Sequence, residues 1–255
     1  MIMDNTVSLL SRASTRMDLN DWGNQPNMIE GLSQSSGLVL DKRYGGAQES
    51  GLWRCTPGKW FLHIPDDEFC YFTAGKATYE SVEGEKIDVQ AQTAVLFPRG
   101  WKGICTVHET MRNTYILVKS ETDAPDTDAP ESTSKMDKEG TMKVSYKKNP
   151  LAETNVTDWG VIPTMIEGQS HISGFLLHKG PKGQSECGLW RCTPGKWDCH
   201  VTRDEFCHFL EGRCTYVGED GQVIEIEPDT IAFFPEGWKG VCTVHETVRK
   251  VYMIR

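Results

Sequence analysis

The sequence predicts an all-β protein built from two tandem copies of one domain. A decapeptide, Gly-Leu-Trp-Arg-Cys-Thr-Pro-Gly-Lys-Trp, occurs at residues 51–60 and again, letter for letter, at residues 188–197. Each copy is followed by Asp-Glu-Phe-Cys, at 67–70 and at 204–207. Short β-prone runs between Gly and Pro turns are the third observation, and they are typical of a β-sandwich or barrel. Together these features indicate duplication of a whole β domain.

The two copies align without a gap over the length of a domain. Residues 21–118 match residues 158–255 at a constant offset of 137. A repeat of this length is a domain and not a solenoid unit. Between the copies lies a segment rich in Asp, Glu, Ser, Thr and Pro, which has too few apolar residues to order itself. We therefore expect an N-terminal domain at 1–118, an acidic flexible linker at 119–140 and a C-terminal domain at 141–255.

Strand signals follow one another through the second copy. A β-prone run at 213–217 ends in the turn Gly-Glu-Asp-Gly, and residues 222–227 then alternate between apolar and polar. Pro-Asp precedes an apolar run at 230–234, and Pro-Glu-Gly precedes a long β-rich stretch at 240–254. No segment longer than about three turns shows strong helical periodicity. These runs are predicted to be the strands of the domain.

Composition limits the possible partners and the compartment. The net charge of -9 disfavours a nucleic-acid partner, because phosphates would be repelled. No apolar run approaches membrane-spanning length, so no membrane partner is expected. Nine cysteines in a chain with two sizeable cores are expected to be free thiols, which favours the cytoplasm. A small molecule is the expected partner, and the oligomeric state is left open, with a homodimer as one option.

The order of these motifs resembles that of the cupin superfamily. The pattern runs from the decapeptide to Asp-Glu-Phe-Cys, then to Phe-Pro-x-Gly-Trp-Lys-Gly and finally to Glu-Thr-x-Arg. It is most similar to the small cupins grouped with the (S)-ureidoglycine aminohydrolase cupin domain. The resemblance implies two jelly-roll β-barrels in one chain, a bicupin. It also implies a divalent metal, held by two His and a Glu of a first motif and a His of a second.

Carried over to the second copy, the resemblance implies a metal set of Asp198, His200 and Glu205. His200 and Glu205 match the first motif, whereas Asp198 stands at the position of its other His and Gly240 at that of the second-motif His. Residues two apart in a strand share a face, so Asp198 and His200 are expected to point the same way. One divalent metal of open identity is therefore expected in the C-terminal barrel. A hydrogen-bonded structural pair of His200 and Glu205 is the alternative.

The first copy keeps less of the implied set. His63 and Glu68 match the first motif, but Phe61 stands at the position of the other ligand and Gly103 at that of the second-motif His. His63 and Glu68 remain candidates for acid–base chemistry, and a structural role is favoured for them. Phe61 is expected to fill the position of the missing ligand.

Further residues of the second copy are expected to form a substrate pocket. If Glu205 faces the barrel interior, Cys207 does so too, because the two share a face of one strand. Trp238 follows the Pro-x-Gly turn and is expected at the barrel mouth, while Arg191 is a candidate for binding an anion. The pocket candidates are Arg191, Cys207, Trp238 and Cys242. Without a metal, Glu205 in an apolar barrel would have a raised pKa and act as a general acid or base with His200.

Two functions remain open from the sequence. The first is a metal-assisted enzyme that acts on a small polar metabolite, nitrogen-bearing or carboxylated, and that is aminohydrolase-like by resemblance only. The second is a non-catalytic bicupin that binds a small molecule or has a regulatory role, with degenerate metal sites. The enzyme, with its site in the C-terminal domain, is the preferred prediction because the Glu and one His of the first motif are retained in both copies, and the binding protein is the alternative because the second-motif His is missing; the fold alone does not fix the function.

Overall fold

The computed structural model describes residues 5–119, 143–180 and 185–255. These residues form β-strands almost throughout, which confirms the all-β prediction. The predicted linker at 119–140 lies outside the described residues, apart from Lys119. Within the described ranges, no helix has the length and apolar character needed to cross a membrane. The strands are β1 (Ser8–Leu10), β2 (Asn20–Asn24), β3 (Met28–Glu30), β4 (Gln34–Arg43), β5 (Gln48–Cys55), β6 (Gly58–Ile64), β7 (Asp67–Ser81), β8 (Lys86–Gln90), β9 (Thr93–Phe97), β10 (Trp101–Val118), β11 (Ser145–Lys148), β12 (Thr157–Val161), β13 (Met165–Gly168), β14 (His171–Lys179), β15 (Glu186–Cys192), β16 (Gly195–His200), β17 (Glu205–Glu211), β18 (Cys214–Gly218), β19 (Val223–Ile226), β20 (Thr230–Phe234), β21 (Lys239–Val244) and β22 (Val248–Ile254).

The chain folds into two compact units. The C-terminal unit consists of Met1–Met17 together with Asn149–Arg255, and the N-terminal unit consists of Asp18–Lys148. In the C-terminal unit a seven-stranded sheet has the order β1-β20-β17-β22-β15-β14-β12, and a five-stranded sheet has the order β13-β16-β21-β18-β19. The apolar faces of both sheets contribute to one buried core. This is the two-layer arrangement expected of a jelly roll.

The N-terminal unit repeats this arrangement in a single connected sheet. Its main strand order is β11-β9-β7-β10-β5-β4-β2, while β3 pairs with β6, β6 with β10, and β8 with β7. The long strands β7 and β10 contribute to both layers, whereas their equivalents in the C-terminal unit are each divided into two strands, β17 and β18 and then β21 and β22. The strands predicted in the second copy are all found, with small differences at their ends.

The first strand of each copy belongs to the unit formed by the other copy, and not to the unit predicted for it. β1 pairs with β20 of the C-terminal unit, and β11 pairs with β9 of the N-terminal unit. The expected boundaries, 1–118 and 141–255, assigned these strands the opposite way. In the C-terminal unit the exchange is reinforced by Asp229, whose carboxylate accepts hydrogen bonds from the Ser14 amide at 3.0 Å and from the Ser14 hydroxyl at 2.7 Å. Each unit is therefore completed by a strand from the other half of the sequence.

Candidate functional site

The C-terminal unit encloses a cavity between its two sheets. Its volume is about 470 Å³, within the range of roughly 300–1,000 Å³ that is usual for small-molecule sites. The side chain of Lys179 is 66% exposed and lines this cavity, so the cavity reaches solvent. We call it the C-terminal cavity. It is lined by Trp159, Ile162, Pro163, Ile172, Leu176, Lys179, Glu186, Trp190, Trp197, Cys199, Val201, Glu205, Tyr216, Phe234, Lys250, Tyr252 and Ile254.

An ion pair is the polar centre of the C-terminal cavity. Lys250 Nζ donates a hydrogen bond to Glu205 Oε1 at 2.8 Å, and the two side chains are only 7% and 19% exposed. The Lys250 ammonium also lies over the Trp190 ring, 4.8 Å from its centroid, and 5.5 Å from the centroid of Phe209. A cation over an aromatic face is attracted by the ring quadrupole. The ammonium is thus held by one carboxylate and two rings.

Buried groups around the ion pair fix its charge state. Burial lowers the pKa of Lys250, but the charge of Glu205 and its hydrogen bond raise it by more, so this pKa lies above its ordinary value. Burial raises the pKa of the Cys207 thiol well above its usual range, and Glu205 adds to this effect. Lys250 is therefore a cation at neutral pH and Cys207 a neutral thiol.

Aromatic side chains form one wall of the cavity. The ring centroids of Tyr216 and Phe234 are 4.8 Å apart, and Trp238 packs edge-on against both at 5.9 and 5.5 Å. On another wall, the Tyr252 hydroxyl donates a hydrogen bond to Glu186 Oε1 at 3.2 Å. The cavity therefore combines broad apolar surfaces with two carboxylates and one internal ammonium.

The predicted metal set is not assembled, because β16 turns the opposite face to the cavity. Trp197 and Cys199 line the cavity, whereas Asp198 and His200 are exposed on the outer face. Asp198 and His200 share a face, as strand alternation requires, but it is the face that points away from Glu205. The expectation that Asp198, His200 and Glu205 converge is thus wrong, and so is the pairing of His200 with Glu205.

The position of the implied second-motif His cannot hold a side chain. A Cβ atom on Gly240 would meet the carbonyl oxygen of Val217 and would lie 2.6 Å from Trp238 Cη2. Real Cβ atoms do not approach other atoms so closely. The equivalent Gly103 is blocked in the same way by Trp101, whose Cη2 would lie 2.6 Å from the added atom. In both units a Trp ring therefore occupies the space that a second-motif ligand would need.

These placements decide whether the implied divalent metal fits this site. Of the implied donors only Glu205 faces the cavity, and its carboxylate already pairs with the Lys250 ammonium. Among the described residues, no three His, Cys, Asp or Glu side chains are grouped closely enough to hold a metal ion. The residues present do not fit the metal that the resemblance implied.

The remaining pocket candidates have mixed placements. Cys207 is fully buried beside the ion pair, where it is hydrogen-bonded to both Lys250 and Glu205, so it is close to the site as expected. Cys242 is buried in the core and Trp238 stands behind the lining residues, so neither lines the cavity. Arg191 is not among the lining residues, since its neighbour Trp190 takes the inward position of β15. An anion-binding role of Arg191 in this cavity is not supported.

The N-terminal unit has a smaller cavity in the equivalent place. Its volume is about 300 Å³, and we call it the N-terminal cavity. At the offset of 137, most of its lining residues correspond to those of the C-terminal cavity. It is lined by Trp22, Gln25, Glu49, Trp53, Trp60, Leu62, Ile64, Glu68, Cys70, Tyr79, Phe97, Asn113, Tyr115 and Leu117.

Glu68 is the central polar group of the N-terminal cavity. Cys70 Sγ donates a hydrogen bond to Glu68 Oε1 at 3.1 Å, and Asn113 Nδ2 donates to Cys70 Sγ at 3.5 Å. Phe61 and His63 are exposed on the outer face of β6. Phe61 therefore does not fill a ligand position inside the barrel, and His63 does not reach Glu68 within the cavity.

The carboxyl group of Glu68 makes a pH-dependent contribution to stability. Burial raises the pKa of Glu68, with a smaller opposing effect of the hydrogen bond from Cys70. Because the folded state then holds a proton more tightly than the unfolded state, stability falls as the pH rises from the ordinary Glu pKa through the raised one. Because Glu68→Gln removes the buried charge, it is expected to stabilise the N-terminal unit at pH 7.5 by about 1 kcal/mol, with little effect at pH 4.5.

Urea unfolding at both pH values measures this difference. Glu83→Gln is the matched control, since Glu83 is exposed in the turn before β8 and its replacement is expected to change stability by less than about 0.5 kcal/mol. An equal effect of Glu68→Gln at pH 4.5 and 7.5 would contradict the assignment.

Lys250, which supplies the internal ammonium of the C-terminal cavity, was not among the site residues predicted from the sequence. It lies in β22, whose sequence is Val-Arg-Lys-Val-Tyr-Met-Ile, and on its own strand face it stands between Val248 and Tyr252. A lysine on the same strand face as Tyr252 and Ile254 is a signal for a buried cation, and comparison with Asn113 of the other copy marks the position as variable. Cys199 was likewise missed as a lining residue, because the inward face of β16 was assigned to Asp198 and His200.

Comparison with protein families identifies both halves of the chain. Residues 43–115 and 179–252 match the family model described as "EutQ-like cupin domain". The two matches together cover more than half of the chain, and one falls on each copy of the repeat. This confirms the predicted fold of two tandem cupin jelly rolls. No curated protein sequence matches the chain significantly.

Solved structures with the same fold match along the whole chain. A protein of unknown function of the DUF861 family from Pseudomonas syringae matches with a TM-score of 0.71 at 15% identity, covering 99% of this chain and 100% of that one. Protein Ylba of E. coli, also of the DUF861 family, matches with a TM-score of 0.62 at 10% identity, covering 100% and 92%. A putative glyoxylate-induced protein from Pseudomonas aeruginosa matches with a TM-score of 0.61 at 10% identity, covering 99% and 88%. At these identities the likeness concerns the fold alone.

Proposed function

The chain belongs to the EutQ-like cupin domain family, and on this basis we propose that it is a bicupin whose C-terminal cavity binds a small polar metabolite without a barrel metal. The observation that carries the proposal is the Glu205–Lys250 ion pair at the centre of an aromatic-walled cavity. A few convergent polar groups among apolar walls are the usual composition of a small-molecule site. The ion pair supplies the polar groups that would orient the ligand.

The chemistry of the pair indicates the head group of the ligand. Glu205 offers carboxylate oxygens that accept hydrogen bonds, and Lys250 offers ammonium hydrogens that donate them. An amide-type group, with a carbonyl beside an N–H, presents the complementary acceptor and donor. The Trp190 face and the wall of Tyr216 and Phe234 favour a flat apolar body attached to that head group.

Calorimetric titration of the full chain with benzamide tests the proposal. Benzamide is expected to bind about tenfold more tightly than N,N-dimethylbenzamide, which lacks the N–H donors. Glu205→Gln is expected to weaken benzamide binding about tenfold, whereas Glu68→Gln at the equivalent position of the other unit leaves it unchanged. Equal affinity for the two amides, or an equal loss in both variants, would rule out recognition by the Glu205–Lys250 pair.

The metal-free part of the proposal has a separate measurement. Elemental analysis after metal-supplemented expression is expected to find less than about a tenth of an equivalent of any transition metal. The reason is the donor set, since Asp198 and His200 are exposed on the outer face and Trp238 blocks Gly240. A full equivalent of bound metal that is lost in Glu205→Ala would overturn this part while leaving ligand binding to be judged by calorimetry.

Catalysis by the same pair is the second candidate function. Glu205 would accept a proton from a water molecule that attacks the amide carbon, and Lys250 would donate a hydrogen bond to the oxygen that gains negative charge. Glu205 would then pass this proton to the amide nitrogen, the C–N bond would break, and the products would be a carboxylate and an ammonium ion, which is an aminohydrolase-type reaction without a metal. Release of ammonia from benzamide in the same samples, abolished by Glu205→Gln, would favour this candidate over binding alone.

A further inference from the structure

The C-terminal unit shows how this fold encloses an ammonium group. Lys250 Nζ lies 2.8 Å from a carboxylate oxygen of Glu205 and 4.8 Å from the centroid of the Trp190 ring. Its side chain is only 7% exposed, so carboxylate and ring replace most of the water that would solvate the charge. The arrangement is a complete binding site for an ammonium group that the chain itself supplies.

The N-terminal unit retains this arrangement without the ammonium group. Trp53 and Glu68 are the equivalents of the ring and the carboxylate, and both line the N-terminal cavity. Asn113 stands at the position of the lysine, so no described residue places a cation between them. Among the described residues, no ion pair includes Glu68.

The charge of the N-terminal cavity also favours a cation. Two carboxyl groups line it and none of its described lining residues is basic; Glu49 is already paired with Lys42 at 2.8 Å, whereas Glu68 has no ion-pair partner among the described residues. Six aromatic side chains also line the cavity, and aromatic rings can attract a cation through their faces: Trp22, Trp53, Trp60, Tyr79, Phe97 and Tyr115. The lining charge that no described cation balances is therefore the negative charge of Glu68, which would repel an anionic ligand.

An unpartnered acceptor gives independent evidence for a ligand. Asn113 is only 3% exposed and lines the cavity, and its Oδ1 atom has no hydrogen-bond partner among the described residues. A buried carbonyl oxygen without a donor carries an uncompensated cost of removal from water. A donor from a bound molecule would remove this cost. Where the C-terminal unit has a cation, the N-terminal unit therefore has an unpartnered acceptor.

We propose that the N-terminal cavity binds the ammonium group of a small organic amine. The amine donates hydrogen bonds to the Glu68 carboxylate and to Asn113 Oδ1, and its charge lies over the face of Trp53. The organic part of the amine packs against the aromatic walls. This site is separate from the C-terminal cavity in its residues and in its ligand class, so neither proposal depends on the other.

Calorimetric titration of the full chain with benzylammonium tests this site. Benzylammonium is expected to bind at least about tenfold more tightly than benzyl alcohol, which has a similar shape but no charge. Glu68→Gln is expected to weaken benzylammonium binding about tenfold, whereas Glu205→Gln leaves it unchanged. Equal affinities for the charged and the neutral probe would overturn the proposal, as would equal losses in the two variants.

Exchange of the two variable residues provides a stricter test. Asn113→Lys places an internal ammonium between Trp53 and Glu68 and is expected to abolish benzylammonium binding. Lys250→Asn removes the internal ammonium of the C-terminal cavity and is expected to create a second binding site for the probe. Circular dichroism verifies that each variant is folded. Undiminished binding of benzylammonium to a folded Asn113→Lys variant would contradict the proposal. If Asn113→Lys does not fold, Lys250→Asn decides: a stoichiometry of one benzylammonium per chain, and not two, would contradict the proposal.

Discussion

Lys250→Met is expected to lower the free energy of unfolding of the C-terminal unit by about 3 kcal/mol. The substitution keeps the length and the apolar stem of the side chain, so it leaves no large cavity. It removes the only positive charge that the described structure places against Glu205, whose side chain is 19% exposed. The carboxylate then stays in a largely apolar cavity without its partner, and the cost of removing it from water is no longer offset.

Chemical unfolding followed by tryptophan fluorescence measures this loss. Lys179→Met is the matched control in the same cavity wall, because Lys179 is 66% exposed and lies 3.4 Å from Glu186. Because the Lys179 ammonium stays in water and the Glu186 carboxylate keeps the hydrogen bond from Tyr252, this pair is expected to contribute only about 0–1 kcal/mol. Combining Lys250→Met with Glu205→Gln is expected to recover most of the lost stability, since no unpaired charge is left in the cavity. A loss no larger than that of Lys179→Met would show that the pair is not desolvated.

Gly240→Ala is expected to destabilise the C-terminal unit by about 3 kcal/mol. The added methyl group would meet the Val217 carbonyl oxygen and lie 2.6 Å from Trp238 Cη2. Neither neighbour gives way easily, because the oxygen belongs to the paired strand β18 and the Trp238 ring is packed against Tyr216 and Phe234. Gly240→His, which would restore the second-motif ligand, is for the same reason expected to unfold this unit and not to create a metal site.

Thermal unfolding of Gly240→Ala and Gly221→Ala separates crowding from the backbone cost of losing a glycine. Gly221 has a φ of +84° and nothing within 4 Å of an added Cβ atom, so alanine there costs only the strain of a left-handed backbone, about 1 kcal/mol. Gly240 has no such φ, and its cost comes from contact alone. If Gly240→Ala is no less stable than Gly221→Ala, Trp238 can move aside, and the argument against a second-motif ligand loses its steric basis.

The site could be anticipated from the sequence only in part. The motif position of Glu205 was identified correctly as facing the cavity, and so was the neighbourhood of Cys207. Asp198 and His200 were placed on one strand face as alternation demands, yet the sequence contains no information that fixes which face of β16 is inward. Tertiary packing decides this, because burying Trp197 against the core contributes far more than burying Asp198 or His200.

Two tandem β domains, their strands and their common fold follow from the sequence itself. The duplicated decapeptide, the turns and the alternating runs are local signals, and local signals suffice for strands. Local signals do not determine which strand β1 pairs with. β20 and β9 stand at equivalent positions of the two copies, so the edge of either strand offers the same backbone groups to β1 or to β11. Only the tertiary structure decides that each first strand completes the unit of the other copy, because a duplicated sequence presents two equivalent edges and pairing is chosen by long-range contacts such as that of Ser14 with Asp229.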